Sequence, residues 1–203
     1  LFFFHALFPK FLSLVLETLS QLRQSLFIRL LHDGIRKMRS DRLKVALTRR
    51  LPHVVEKRLD ELFDVQLRDE DTPLNKKEII DYMQDVDVLV PCISDVVDAP
   101  MVAQAGKNLK LIANFGAGFD NIDVTTALQR GILVSNTPGV VTEDTADMTI
   151  ALILSVTRRI PEGIVVMQKG QWDGWSPSAF LGGRLTGRRL GILGMGRIGK
   201  AVA

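Results

Sequence analysis

Two glycine-spaced turns contain the residues whose types and spacing could do chemistry. Gly194, Gly196 and Gly199 stand in the run Gly-Met-Gly-Arg-Ile-Gly, directly after the apolar stretch RLGIL. Between a strand and a helix, this G-x-G-x-x-G spacing has a physical reason at each glycine. The first permits a tight turn, the second lets the backbone approach a pyrophosphate, and the third lets the helix pack closely. The phosphate would then rest on unpaired N–H groups at the helix start. Six residues alone are a weak signal, and the apolar stretch before them strengthens it. An acidic or basic residue about 20 positions further on would read the ribose. It lies beyond Ala203, so NAD and NADP are not distinguished.

The second turn lies within NFGAGFDNID, at the end of the apolar run LKLIAN. Gly116 and Gly118 flank Ala117 where a parallel strand would end, which is where open α/β sheets hold ligands. Backbone N–H groups in such a turn can hold a carboxylate. On spacing alone, however, a turn needing glycine for its dihedral angles is the favoured explanation. Cys92 is the only cysteine. With no histidine partner in reach it is expected to be a small packed residue rather than a nucleophile. A single cysteine excludes an intrachain disulfide and a cysteine-based zinc cluster, in keeping with a reducing compartment. His5, His32 and His53 are too scattered to suggest a metal site.

The elements that must position these turns follow from periodicity. From Leu43 onward, short apolar runs (LKVAL, FDVQL, DVLVP, LKLIAN, ILVSN) alternate with helical segments. Pro52 suits the first position of one helix, Asn75 the cap of the next, and Gly106 and Gly131 the ends of two more. Strands of this kind, separated by helices, predict parallel pairing in an open α/β sheet buried on both faces. Pro138-Gly139 predicts a turn. Thr142 then caps a helix with Glu143 and Asp144 in its first turn, where the dipole favours acids. From Met148 to Val156 that helix is apolar nearly all round, which predicts burial in a core or against another subunit. Pro161 opens a further helix, residues 172–187 form a long loop, and RLGIL is the final strand.

Charge is unevenly spread. The net charge is +3, but residues 1–50 carry ten basic and three acidic side chains, which leaves residues 51–203 mildly acidic. The folded part shows no basic stripe interleaved with aromatics, so a nucleic-acid partner is not expected. The first forty residues are rich in Phe, Leu and Arg, but His5, Pro9, Lys10 and Glu17 interrupt any run of the ~20 apolar residues that a membrane span needs. Residues 1–42 are expected to be an N-terminal extension, with Met38 the favoured natural start.

Several segments together carry a resemblance: LIANFGAGFDNID, GILVSNTPGVVTEDTADMTIALIL, RRIPEG and GWSPSAFLGGRLTGRRLGILGMGRIGKA. In their order and spacing they resemble the D-isomer-specific 2-hydroxyacid dehydrogenases, most of all the glyoxylate/hydroxypyruvate reductase branch, from about Lys44 to Ala203. The resemblance implies a flavodoxin-like parallel-sheet substrate domain at 43–140, followed by the beginning of a Rossmann nucleotide-binding domain at 141–203. It also implies an NAD or NADP cofactor, a small 2-oxo or 2-hydroxy acid substrate, a homodimeric full-length parent and a cytoplasmic location.

Placed residue by residue, Ala117 and Gly118 match the backbone N–H groups that bind the substrate carboxylate. Thr145 matches a threonine that contacts the cofactor. Gly194, Gly196, Arg197, Ile198 and Gly199 match the pyrophosphate turn. LVPCIS, residues 89–94, matches a loop bordering the substrate cleft, and WSPSAFLGG a loop reaching toward the neighbouring subunit; two aromatics pinned for packing would explain the latter equally well. The family's catalytic Arg, Glu and His match no position in this sequence. Residues 1–203 are therefore expected to be a truncated dehydrogenase, inactive by themselves. The alternative is a non-catalytic dimerising or binding module derived from the same family.

Overall fold

Alternation along the strands sets the architecture. The computed structural model describes residues 42–203; the N-terminal extension, Met38, His5 and His32 lie outside the described residues. In β1 (Lys44–Leu47), Val45 and Leu47 join one buried cluster while Ala46 joins the other. The same split recurs in β3 (Val88–Val90), with Val88 and Val90 against Leu89, and in β4 (Leu111–Ala113), with Leu111 and Ala113 against Ile112. Successive strand residues point to opposite faces, so a strand buried on both must be apolar throughout. All three are fully buried except Lys44 at the start of β1.

With β2 (Asp64–Gln66) and β5 (Leu133–Ser135), these strands form one five-stranded sheet in the order β2-β1-β3-β4-β5, every pair parallel. Val55 and Leu59 of α1 (His53–Leu62) cover one face. The other is covered by Ile79 of α2 (Lys76–Tyr82), Met101 and Val102 of α3 (Ala99–Ala103) and Ala127 of α4 (Val124–Gln129). Each covering helix on this second face starts at a side-chain cap. Asn75 and Glu78 form a reciprocal capping box, and Asp98 and Asp123 accept from Met101 N and Thr126 N. Gly131 ends α4 with φ +72°, and Ile132 N donates to Ala127 O at 2.9 Å, the bond of a Schellman motif.

The chain divides into two compact units, one ending at Val140 and the other spanning Val141–Ala203. The second contains α5 (Thr142–Thr157), α6 (Ile160–Gln168) and α7 (Arg197–Val202), with α7 packed against α5.

Four expectations are corrected. Pro52 precedes α1 rather than opening it. Gly106 lies beyond the end of α3 and does not cap it; its N–H donates to Met83 O at 3.0 Å. Thr142 is the first residue of α5, whose cap position is Val141 with no side-chain bond. RLGIL forms no strand, because a strand is held by its ladder and no described segment pairs with it. Within this chain the apolar stretch of α5 is not buried in a core, which leaves its expected cover to another subunit: Met148 is 56% and Val156 75% accessible, and Ala146 is the one buried residue of the helix. Among the described residues, nothing in this unit forms a layer over that face.

A buried carboxylate anchors the turn that follows β1. Glu56, 3% exposed, accepts two bonds from the Arg50 guanidinium at 2.9 Å each and one from Leu51 N at 2.8 Å. Burial alone would raise its pKa, but Arg50 and the Leu51 N–H outweigh it and hold the carboxyl below its ordinary value. A carboxyl depressed on folding stabilises the protein above its unfolded pKa, and that stabilisation is lost as pH falls through the folded value. Glu56→Gln is therefore expected to cost about 1–2 kcal/mol at neutral pH and progressively less as the pH falls below the ordinary carboxylate range. Urea denaturation of both proteins across a series of pH values from neutral downward checks this; a gap that stays constant would refute it.

Candidate functional site

The strand order reverses between β1 and β3, the switch point at which open α/β sheets of this order hold ligands beyond the carboxyl ends of their strands. Thr48 follows β1 there. Its hydroxyl donates to Asp95 Oδ2 at 2.5 Å, and its N–H donates to Val90 O at 3.2 Å. Asp95, 3% exposed, also accepts from Cys92 N at 2.8 Å. Asn121 Nδ2 donates to Cys92 O and Asp95 O at 3.2 and 3.0 Å, which ties the loop after β4 to the loop after β3. Arg49 closes the other side, with Nε on Asp71 Oδ1 at 2.7 Å and Nη1 3.3 Å from Ser94 Oγ. The Cys92 thiol is pushed up to about 12, chiefly by burial and then by Asp95. It stays a protonated thiol at neutral pH, as a packed cysteine should.

Beyond β4 lies the turn containing Ala117. Neither Gly116 nor Gly118 has a positive φ, so dihedral need does not explain these glycines. A Cβ on Gly116 would fall 2.1 Å from Cγ2 of the exposed Ile93 side chain, which would have to rotate to admit it. Three successive carbonyls of the turn are engaged. Gly116 O accepts from Thr137 N at 2.9 Å, Ala117 O from Asn136 Nδ2 at 2.8 Å, and Gly118 O from Asn114 Nδ2 at 2.7 Å. The N–H groups of Ala117 and Gly118 have no acceptor among the described residues. Two adjacent unpaired donors on a pinned turn are suited to an anion.

In the second unit, Gly194 has φ +96°, the tight turn expected of the first glycine. A Cβ on Gly199 would lie 2.1 Å from Gly194 O, so the third glycine is fixed by close approach of α7 to the turn. Gly196 occupies the N-cap of α7 with no side-chain cap, and space is open where its Cβ would be. The first-turn N–H groups at Arg197 and Ile198 thus have neither an intrahelical nor a capping acceptor. These observations fit a pyrophosphate. Thr145 lies in the first turn of α5 and donates its hydroxyl proton to Val141 O at 2.6 Å, which leaves its oxygen able to accept. Of the two aromatics in WSPSAFLGG, Phe180 is held with the Arg159 guanidinium 5.6 Å above its ring, whereas Trp175 is 82% exposed.

Thr48, Asp95, Asn114, Asn121 and Asn136 escape a reading of the sequence alone. The one signal was the pair of asparagines bracketing the glycine turn, since Asn commonly bonds turn backbone.

The sheet order and the ligand-bearing end of its strands define an α/β protein of the flavodoxin-like class. More specifically, residues 45–187 match the family model for the D-isomer specific 2-hydroxyacid dehydrogenase catalytic domain, and the chain belongs to that family. It is 43% identical over 161 residues to a glyoxylate reductase of Korarchaeum cryptofilum, covering 79% of this chain and 48% of that protein. The glyoxylate reductase of Thermococcus litoralis is 41% identical over 164 residues, with 79% and 49% covered. A solved NADPH-dependent glyoxylate/hydroxypyruvate reductase of Sinorhizobium meliloti, in complex with NADP and malonate, superposes with a TM-score of 0.64 at 32% identity over 80% of this chain and 49% of that one. The chain spans about half the length of the curated relatives it matches.

Proposed function

We propose that residues 43–140 are the substrate domain, and 141–203 the start of the nucleotide-binding domain, of an NAD(P)-dependent oxidoreductase. It acts on a small D-2-hydroxy acid, with glyoxylate or hydroxypyruvate as the corresponding oxo acid. The observation that carries this reading is the pair of unpaired N–H groups at Ala117 and Gly118. They bind the substrate carboxylate and so fix which end of the acid enters first. Gly194, Gly196, Arg197, Ile198 and Gly199 supply the turn and first helical N–H groups for the cofactor pyrophosphate, and Thr145 offers its hydroxyl oxygen to the cofactor. When bound, the nicotinamide supplies the hydride chemistry, and the protein contributes position and charge. No residue in 1–203 is assigned as the proton donor.

The test is a 1H–15N titration of the 203-residue chain. Glycolate is expected to move the Ala117 and Gly118 amides in preference to the rest of the spectrum, and NADH oxidation with glyoxylate is expected to stay at background. Glycolate shifts confined to other residues would sink the carboxylate assignment.

The exposed apolar face of α5 supports a homodimer. Leu152 is 58% exposed alongside Met148 and Val156, and α6 adds Ile164 and Met167. Exposed apolar area of this kind is typical of an interface. Light scattering on the eluting protein is expected to give a mass of two chains, and Leu152→Glu to give one; a monomer in both cases refutes it. Among the described residues no helix is long and apolar enough to cross a membrane. A cytoplasmic location is part of the proposal and rests on the family resemblance.

A further inference from the structure

We propose that Asn136 is a positioning residue for the carboxylate turn: by holding the Ala117 carbonyl, it turns the Gly118 N–H to the ligand side. The inference rests on the carboxylate reading given above and deepens it.

The geometry follows from the peptide bond. In a trans peptide the C=O of one residue and the N–H of the next point in opposite directions from one rigid plane, and no described peptide bond is cis. A bond that pins Ala117 O therefore also fixes where Gly118 N–H points. Likewise, the Thr137 N bond to Gly116 O fixes the Ala117 N–H. Both carbonyls are held by consecutive residues, 136 and 137, from the segment that leaves β5. The two N–H groups are thus directed away from that segment, and neither has an acceptor of its own among the described residues. Asn114, 1% exposed, extends the clamp by one plane through Gly118 O and is itself paired with Asn121 at 3.3 Å.

The two clamps differ in kind. Thr137 acts through its main chain, and its buried hydroxyl has no hydrogen-bond partner among the described residues. Asn136 acts through its side chain, so substitution can remove its bond without altering the backbone. Without it, the Ala117–Gly118 plane is free to rotate, and a flipped plane would present a carbonyl oxygen to the anion in place of a donor. The effect belongs on anion affinity far more than on folding, since Asn136 is only half-buried.

The experiment titrates the 203-residue chain with oxalate, a non-reacting carboxylate probe, and compares wild type with Asn136→Ala by amide shifts and by melting temperature. Oxalate is expected to shift Ala117 and Gly118 in wild type and to bind about tenfold more weakly to the variant, the loss of roughly one hydrogen bond, at a nearly unchanged melting temperature. Equal affinity in the two proteins overturns the clamp while leaving the carboxylate reading intact. No oxalate response at Ala117 and Gly118 in wild type overturns both. A second measurement needs no variant and covers the case in which Asn136→Ala fails to fold. The Asn136 side-chain amide protons should exchange slowly in wild type and move on oxalate binding; fast exchange with no shift overturns the clamp.

Discussion

Replacing Gly106 with alanine is expected to remove at least about 3 kcal/mol of stability, the upper end of what overpacking costs. A Cβ at this position would lie 2.0 Å from Gln84 O, 2.7 Å from Gln84 C and 3.0 Å from Gln84 Cα, all of them backbone. A clash with a flexible side chain is relieved by rotation, but one with backbone moves an element. The element here is the end of α2. It is held by Gly106 N to Met83 O and by Gln84 Nε2 to Gln104 O at 2.8 Å, between buried Met83 and buried Ala105. Separating the two segments would break both bonds and open the cluster that contains Ile79, Met83 and Met101. Small domains have only about 5–15 kcal/mol in total, so a loss of this size is readily seen. Urea denaturation followed by circular dichroism checks it, with Gly163→Ala as control. Gly163 lies within α6 with open space around its Cβ position, and alanine there should stabilise the helix by about 1 kcal/mol. A Gly106→Ala midpoint equal to wild type would show that the two segments separate at little cost.

The same glycine shows where the sequence stopped being legible. A glycine soon after a helical period reads as a helix end, and at Gly131 that reading is right. At Gly106 the requirement comes from Gln84, more than twenty positions away, and no local pattern records it. The strands were legible for the opposite reason: Val88–Val90 and Leu111–Ala113 are buried on both faces, and the demand is written into every residue. RLGIL is also largely apolar but lacks a described partner, so composition overstated it. The apolar face of α5 was legible as a face that requires cover, while what covers it was not. In the candidate site, the glycines at 116 and 118 drew attention, yet the residues that fix their carbonyls do not. Asn136 and Ala117 are brought together only by the pairing of β4 with β5.

Gly199→Ala is expected to abolish nucleotide binding in the second unit, and a comparison with Gly196→Ala identifies the cause. A Cβ on Gly199 would lie 2.1 Å from Gly194 O and 3.2 Å from Gly194 C. Gly194 at φ +96° cannot easily give way, because its conformation is what makes the turn tight. Either the turn or α7 must then shift, and the N–H groups at Arg197 and Ile198 lose their common aim. Gly196 differs: its Cβ would meet nothing within 4 Å in the protein. Alanine there should leave the fold untouched and act only by occupying the space through which a pyrophosphate approaches. With ADP as the probe, wild type is expected to show shifts at the Gly196–Ile198 amides. Gly196→Ala should weaken binding by at least about tenfold with the unliganded spectrum otherwise unchanged. Gly199→Ala should lose binding and also move the unliganded resonances of Gly194 and α7. ADP shifts of equal size in all three proteins would mean that the phosphate does not bind at this turn, because a ligand held there must register a methyl group placed in its path.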